Sequence, residues 1–205
     1  MSDKPLEEYL EKRDFRKTPE PSGEASGVAK KGEGPIFVIQ KHDASTLHYD
    51  FRLQVGDVLK SWAVPKGPST DPSDQRLAVP TEDHPLAYAE FEGVIPEDEY
   101  GAGAVLVWDA GFYRNLNRTD DGDEISMDDA LDNGHAKFWL EGEKVRGGYA
   151  LTRTGNGNDE RWLLVKMDDD EADARRNPIS SEPYSVLTDR TIDEIRSEES
   201  NQEDE

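Results

Sequence analysis

Two histidines, a carboxylate and a guanidinium crowd into one short stretch: His42, His48, Asp50 and Arg52, in a chain of 205 residues with only 4 histidines. Residues 47–55 alternate. Leu47, Tyr49, Phe51, Leu53 and Val55 share one face of an extended chain, and His48, Asp50, Arg52 and Gln54 share the other. The first is a core face. The second sets two metal-type ligands and a guanidinium in a row, about 6.7 Å from one to the next. His42 precedes this strand across Asp43-Ala44-Ser45-Thr46, and a hairpin there folds it back beside His48. Two imidazoles and a carboxylate suit a divalent transition metal such as Mn, Zn or Fe. Arg52 offers a bidentate fork to an anionic substrate, a phosphate or a carboxylate. The bland alternative is a half-exposed polar face in which Asp50 pairs with Arg52 and both imidazoles are solvated, the usual fate of a lone His-x-Asp.

Further along, His84 and Tyr88 share parity if their segment is extended, so they face one cavity. His84 would then give a proton to a leaving group and Tyr88 a hydrogen bond to phosphate. The plain alternative is a satisfied turn histidine and a tyrosine at the rim of the core. Two other function classes compete. His48 and Asp50 with His84 or His135 mimic the 2-His-1-carboxylate triad of non-haem Fe(II) oxygenases, which leaves His42 off the metal. A non-catalytic calcium or protein-binding module could be built on the acidic clusters Asp120–Glu124 and Asp168–Glu171, but these lack the spacing of an EF-hand loop.

The elements that must position these residues read as strands. A short amphipathic helix is expected over 5–13, then a Pro/Gly/Ser-rich loop from Thr18 to Gly34. Period-two patterning predicts strands at 36–42, 47–55, 58–64, 76–80, 87–92, 104–109, 111–115, 136–141, 144–153 and 161–167. Turn signals separate them at Gly56-Asp57, Asp109–Gly111, Glu141–Glu143 and Gly155–Asp159. The fold class is mainly β, a compact antiparallel β-barrel with short peripheral helices. Residues 116–134 form an acidic excursion with one helical turn. Thr191 and Glu194 read as a capping box on a last short helix, with 197–205 disordered. This gives an N-terminal helix and loop over 1–34, the barrel over 35–170, and an acidic segment over 171–205.

The charge is uneven. The chain carries 24 Lys+Arg against 46 Asp+Glu, a formal −22. Residues 30–80 hold 7 basic and 6 acidic side chains, whereas 81–205 hold 12 and 33. The stretch with the chemistry is therefore near neutral, and the excess of acid lies elsewhere. Such a surface is one solution to solubility in concentrated salt, where the screening length falls to ~3 Å at 1 M. It argues against ordinary low-salt DNA binding. With no cysteine there is no disulfide framework, thiolate metal site or cysteine nucleophile. No run nears the ~20 apolar residues of a membrane span, and no signal region follows Met1, so a cytoplasmic protein is expected.

The run Phe37-Val38-Ile39-Gln40-Lys41-His42-Asp43-Ala44-Ser45-Thr46-Leu47-His48-Tyr49-Asp50-Phe51-Arg52-Leu53 resembles the 3′-phosphoesterase module of DNA ligase D. The similarity continues through Ser61–Pro68, Glu82-Asp83-His84-Pro85, Tyr88, Phe91–Pro96, Tyr100-Gly101-Ala102-Gly103 and Trp162–Lys166. It takes in Tyr9, Lys12–Phe15, Thr18 and Glu20-Pro21 as well, and spans about residues 5–170. The resemblance implies a compact barrel enzyme that uses Mn, with Co or Zn as other occupants, to remove a 3′-phosphate or a terminal 3′-ribonucleotide from DNA ends. By the same resemblance His42, His48 and Asp50 are metal ligands, and Arg52, His84 and Tyr88 engage phosphate. Arg13, Asp14, Glu20, Gln40, Lys66, Arg76 and Glu82 match supporting positions. The partners implied are DNA 3′ ends. A Lys-x-Asp-Gly adenylation motif is absent, so a stand-alone module is expected, with a ligase and a polymerase acting in trans.

Overall fold

The computed structural model describes residues 5–23, 34–155 and 157–202. Nine strands follow in order: β1 Ile36–Asp43, β2 Leu47–Val55, β3 Val58–Val64, β4 Gln75–Pro85, β5 Gly93–Ile95, β6 Gly103–Asn115, β7 His135–Glu141, β8 Arg146–Arg153 and β9 Trp162–Lys166. The sheet runs β1-β2-β3-β4-β9-β8-β7-β6, all neighbours antiparallel, and the β1–β6 pairing closes it into an eight-stranded barrel with β5 appended to β6. Four short helices lie outside: α1 Glu7–Glu11, α2 Met127–Asp132, α3 Pro178–Ser181 and α4 Ile192–Gln202.

The interior is filled by Phe37, Ile39, Tyr49, Phe51, Leu53, Trp62, Trp108, Phe138 and their neighbours, the inward alternates of successive strands. A second apolar cluster lies on the outside of β1, β3 and β6. There Val38, Leu59, Val105 and Val107 pack beneath Tyr9, Tyr88, Ala89 and Phe91. Tyr9 is the anchor of the N-terminal arm. It is fully buried, its hydroxyl donates to the Pro21 carbonyl at 2.6 Å, and its ring meets Phe15 and Tyr88 at 5.9 and 6.0 Å. Withdrawing such a ring from water contributes on the order of 2–3 kcal/mol, enough to hold a short arm on the barrel.

Three strand expectations change. Residues 87–92 are not a strand: Leu86–Glu90 is a 3₁₀ turn. The Tyr88 and Phe91 carbonyls accept from the Gln40 side-chain amide at 2.8 and 3.1 Å, which satisfies them without a sheet neighbour. No hairpin forms at 109–111, because β6 runs unbroken past it against β1. Asp109, which resembles a turn residue, instead gathers the β7–β8 loop. Its carboxylate accepts from the backbone N–H of Ala110, Glu143, Lys144 and Val145 at 2.8–3.1 Å. Finally, β4 is longer than expected and carries Glu82 and His84 on a strand.

At the C-terminus the capping box forms. Thr191 N–H donates to Glu194 Oε2 at 2.7 Å, and the Glu194 N–H returns to Thr191 Oγ1 at 3.4 Å. Residues 197–202, expected to be disordered, continue helix α4, which buried Ile195 ties to the barrel core. The remainder of that expectation, 203–205, lies outside the described residues, as do 24–33 of the expected loop.

Candidate metal and phosphate site

The outward faces of β1, β2, β3 and β4 form the floor of one cavity of about 240 Å³. His42 comes from β1, His48, Asp50 and Arg52 from β2, Ala63 from β3, and Glu82 and His84 from β4, with Arg13, Tyr88 and Tyr100 as walls. The hairpin register sets His42 directly opposite His48 and Gln40 opposite Asp50.

His42, His48 and Asp50 each offer one ligand atom, and these atoms lie within 4.8 Å of one another. The hydrogen bonds around them decide which atoms those are. His42 Nε2–H donates to the Gly101 carbonyl at 2.7 Å, which leaves the Nδ1 lone pair facing Asp50 Oδ2 at 3.3 Å. His48 Nδ1–H donates to the Thr46 carbonyl at 2.9 Å, which leaves Nε2 facing Asp50 Oδ1 at 3.4 Å. When neither of these two nitrogens carries a proton, two lone pairs face one carboxylate. That is unfavourable for the bare groups and is the arrangement a cation resolves. Backbone carbonyls fixing the far nitrogen of each imidazole are the usual support of a metal-bound histidine. The donor set fits a divalent transition ion. Burial alone would raise the Asp50 carboxyl, but the Arg52 guanidinium holds it well below the usual carboxylate range. It is therefore an anion ready to bind metal.

Arg52 is buried and held on three sides. Nε donates to Gln40 Oε1 at 2.8 Å, Nη1 to Ser61 Oγ at 2.9 Å, and Nη2 lies 3.4 Å from Asp50 Oδ2. Its Cζ lies over the Tyr88 ring, 4.9 Å from the centre. A cation so preorganised needs no rearrangement to meet an anion.

His84 Nδ1–H donates to the Glu82 carbonyl at 2.9 Å, so Nε2 carries the lone pair and accepts from Arg13 Nη2 at 3.4 Å. Burial, then the charges of Arg52 and Arg13, hold its pKa well below the ordinary histidine value. In the free site Nε2 of His84 is thus an acceptor. Tyr88 is engaged in the free site as well. Its hydroxyl donates to Glu20 Oε1 at 2.8 Å, so that proton is already engaged. His84 and Tyr88 do meet, with ring centres 4.6 Å apart, although by a strand and a 3₁₀ turn and not by shared parity.

The supporting residues divide. Arg13 bridges Glu20 and Glu82 at 2.9 and 3.1 Å, and Gln40 positions Arg52, so these four belong to the cluster. Asp14, Lys66 and Arg76 do not line the cavity. Asp14 accepts from Arg16 at the surface, Lys66 is exposed beyond β3, and Arg76 pairs with Asp74 at the far end of β4 beside Thr70 and Arg176. Sequence reasoning missed Ser61, Tyr100 and the carbonyls of Thr46 and Gly101. Ser61 was recoverable, since it stands opposite Arg52 in the β2–β3 ladder. The carbonyls carry no side-chain signal. Among the described residues the oxygenase arrangement is not formed: His84 lies outside the ligand cluster, and His135 sits on β7 against Thr152 Oγ1.

The fold and the site together define a small closed β-barrel with a His-His-Asp metal-type centre beside a buried guanidinium. The family described as the DNA Ligase D 3′-phosphoesterase domain matches residues 40–153. The multifunctional non-homologous end joining protein LigD of Pseudomonas aeruginosa is 50% identical over 195 residues, covering 93% of this chain and 22% of that protein. Its counterpart in Mycobacterium tuberculosis is 46% identical over 162 residues, covering 79% and 20%. The Mycolicibacterium smegmatis protein is 43% identical over 169 residues, covering 80% and 21%. The chain belongs to the DNA ligase D 3′-phosphoesterase domain family, and it spans about a fifth of the length of these relatives. Among the described residues no helix is long and apolar enough to cross a membrane.

Proposed function

We propose that this protein is a Mn-dependent phosphoesterase that heals DNA 3′ ends in cytoplasmic end-joining repair. It would remove a 3′-phosphate and trim a terminal 3′-ribonucleotide to leave a 3′-OH. The observation that carries this reading is the convergence of His42 Nδ1 and His48 Nε2 on the two oxygens of Asp50, at 3.3 and 3.4 Å, beside the Arg52 fork. His42, His48 and Asp50 would hold the ion, whose contribution is Lewis-acid polarisation of phosphoryl oxygens and a lowered pKa for bound water.

The protein's own groups do the remainder. Arg52 binds the phosphoryl oxygens with its unengaged N–H groups and stabilises the charge that grows on them. Gln40 and Ser61 keep that guanidinium from turning away. A phosphate dianion beside Arg52 and Arg13 offsets the two charges that help keep His84 neutral. Substrate binding would thereby load a proton on Nε2, which His84 passes to the leaving oxygen. Ligation and polymerisation would fall to other polypeptides acting in trans or to other parts of a longer chain. The test is release of phosphate from a 3′-phosphate-ended DNA strand with Mn, and then with EDTA in excess. Turnover that EDTA abolishes supports the reading; turnover indifferent to EDTA, or none with Mn, sinks it.

A further inference from the structure

Among the described residues only six large hydrophobic side chains are exposed, and of these Tyr100 alone lines the cavity. Nearly half of it, 49%, faces water. The ring sits in a tight turn from Glu99 to Ala102, closed by the Ala102 N–H on the Glu99 carbonyl at 3.2 Å. Gly101 follows with φ +78°, the conformation for which such a turn requires glycine. The carbonyl of that glycine is the one that accepts from His42 Nε2. Tyr100 is thus one peptide away from a group bonded directly to a ligand of the metal-type cluster, a Cα step of about 3.8 Å. Two cations accompany it, with Lys12 Nζ 4.7 Å and Arg13 Cζ 5.5 Å from the ring centre. The Tyr100 hydroxyl accepts from Lys12 Nζ at 3.5 Å, and the ring stays half in water at the mouth of a polar cavity.

We infer that Tyr100 is a positioning residue: a stacking platform for the nucleobase of the 3′-terminal nucleotide. This rests on the proposed 3′-end reading. A phosphate at Arg52 leaves its nucleoside to extend out of the cavity, and the rim it meets carries the half-exposed Tyr100 ring. Stacking accepts any base, since each has such a face, and the neighbouring cations suit the flanking phosphodiester.

The experiment measures kcat and KM for wild type, Tyr100→Ala, Tyr100→Phe and Tyr100→Trp on two 3′-phosphate strands, one with a normal terminal base and one ending in an abasic nucleotide. On the normal strand Tyr100→Ala should raise KM by roughly 5- to 150-fold with little change in kcat, while Phe and Trp retain the wild-type KM. On the abasic strand the alanine penalty should vanish. An equal penalty on both strands, or a Phe variant as poor as Ala, would overturn the inference. If wild type turns over neither strand, the phosphoesterase reading fails, and stacking is judged separately by fluorescence of a terminal 2-aminopurine. Quenching by wild type that Tyr100→Ala relieves would sustain the platform; equal fluorescence with both proteins would end it.

Discussion

The walls of the barrel contrast most sharply between β7 and β2. Both strands alternate in sequence. In β7 the alternation has its ordinary result: Ala136, Phe138 and Leu140 are buried while His135, Lys137 and Glu141 face water. In β2 residues Tyr49 to Leu53 are buried on both faces, so Asp50 and Arg52 are as enclosed as Phe51 between them. The difference is the cover. The N-terminal arm and the 3₁₀ turn lie over β1–β4, whereas the outward side chains of His135, Lys137 and Glu141 on β7 face water. Burying charge costs several kcal/mol per ion unless partners compensate, and the β2 face meets that cost with a network of Arg13, Glu20, Gln40, Ser61 and Glu82. One strand therefore does two kinds of work, packing the core inward and enclosing a charged network outward.

The widest separation of those two kinds of work is expected from His48→Ala. It removes an imidazole from the ligand cluster, so Mn binding by titration and 3′-phosphate release should both be lost. Retained Mn would mean that the cluster is not the metal site, and the contrast with β7 would lose its meaning.

Inward on the same strand, Phe51 stacks on Phe138 at 5.6 Å inside the barrel. Phe51→Ala should cost about 3–5 kcal/mol in urea unfolding. Its residual folded fraction should keep a near-normal kcat. A loss below 1 kcal/mol would show that the interior can collapse around the gap.

One residue further on, Arg52→Ala should lower kcat by about 10²–10³ while Mn titration stays close to wild type, since no ligand is removed. Arg52→Lys should recover only part of that, because an ammonium lacks the planar fork. Near-full activity of the alanine variant would refute the phosphate role given to Arg52.

The smallest effect belongs to β7. Glu141 pairs with Arg114 at 3.0 Å in an exposed position. Glu141→Gln should change unfolding free energy by no more than about 0.5 kcal/mol and leave turnover unaltered. A larger shift would make the two walls less different than their burial suggests.

Much of this was legible before folding. Alternation in β2 put His48, Asp50 and Arg52 on one face, and the short loop after Asp43 folded His42 back to it, because both facts follow from local backbone geometry. The barrel class and most strand positions followed from the same period. Asp109 misled for a physical reason: a carboxylate that binds backbone N–H groups serves a distant loop as readily as its own turn. The strand expected at 87–92 failed similarly, since the buried Gln40 side chain of β1 satisfies its carbonyls.

Only the tertiary structure decided which polar face would be buried. Residue type and period are alike for an outward face that stays wet and one that becomes a site. What separates them is the arm held by Tyr9, which brings Arg13 and Glu20 onto β4 and Tyr88 from positions about 70 residues distant in the chain. The ring tautomers were likewise outside the reach of sequence, for they depend on the carbonyls of Thr46 and Gly101. Every residue carries a carbonyl, and only the folded backbone says where it points.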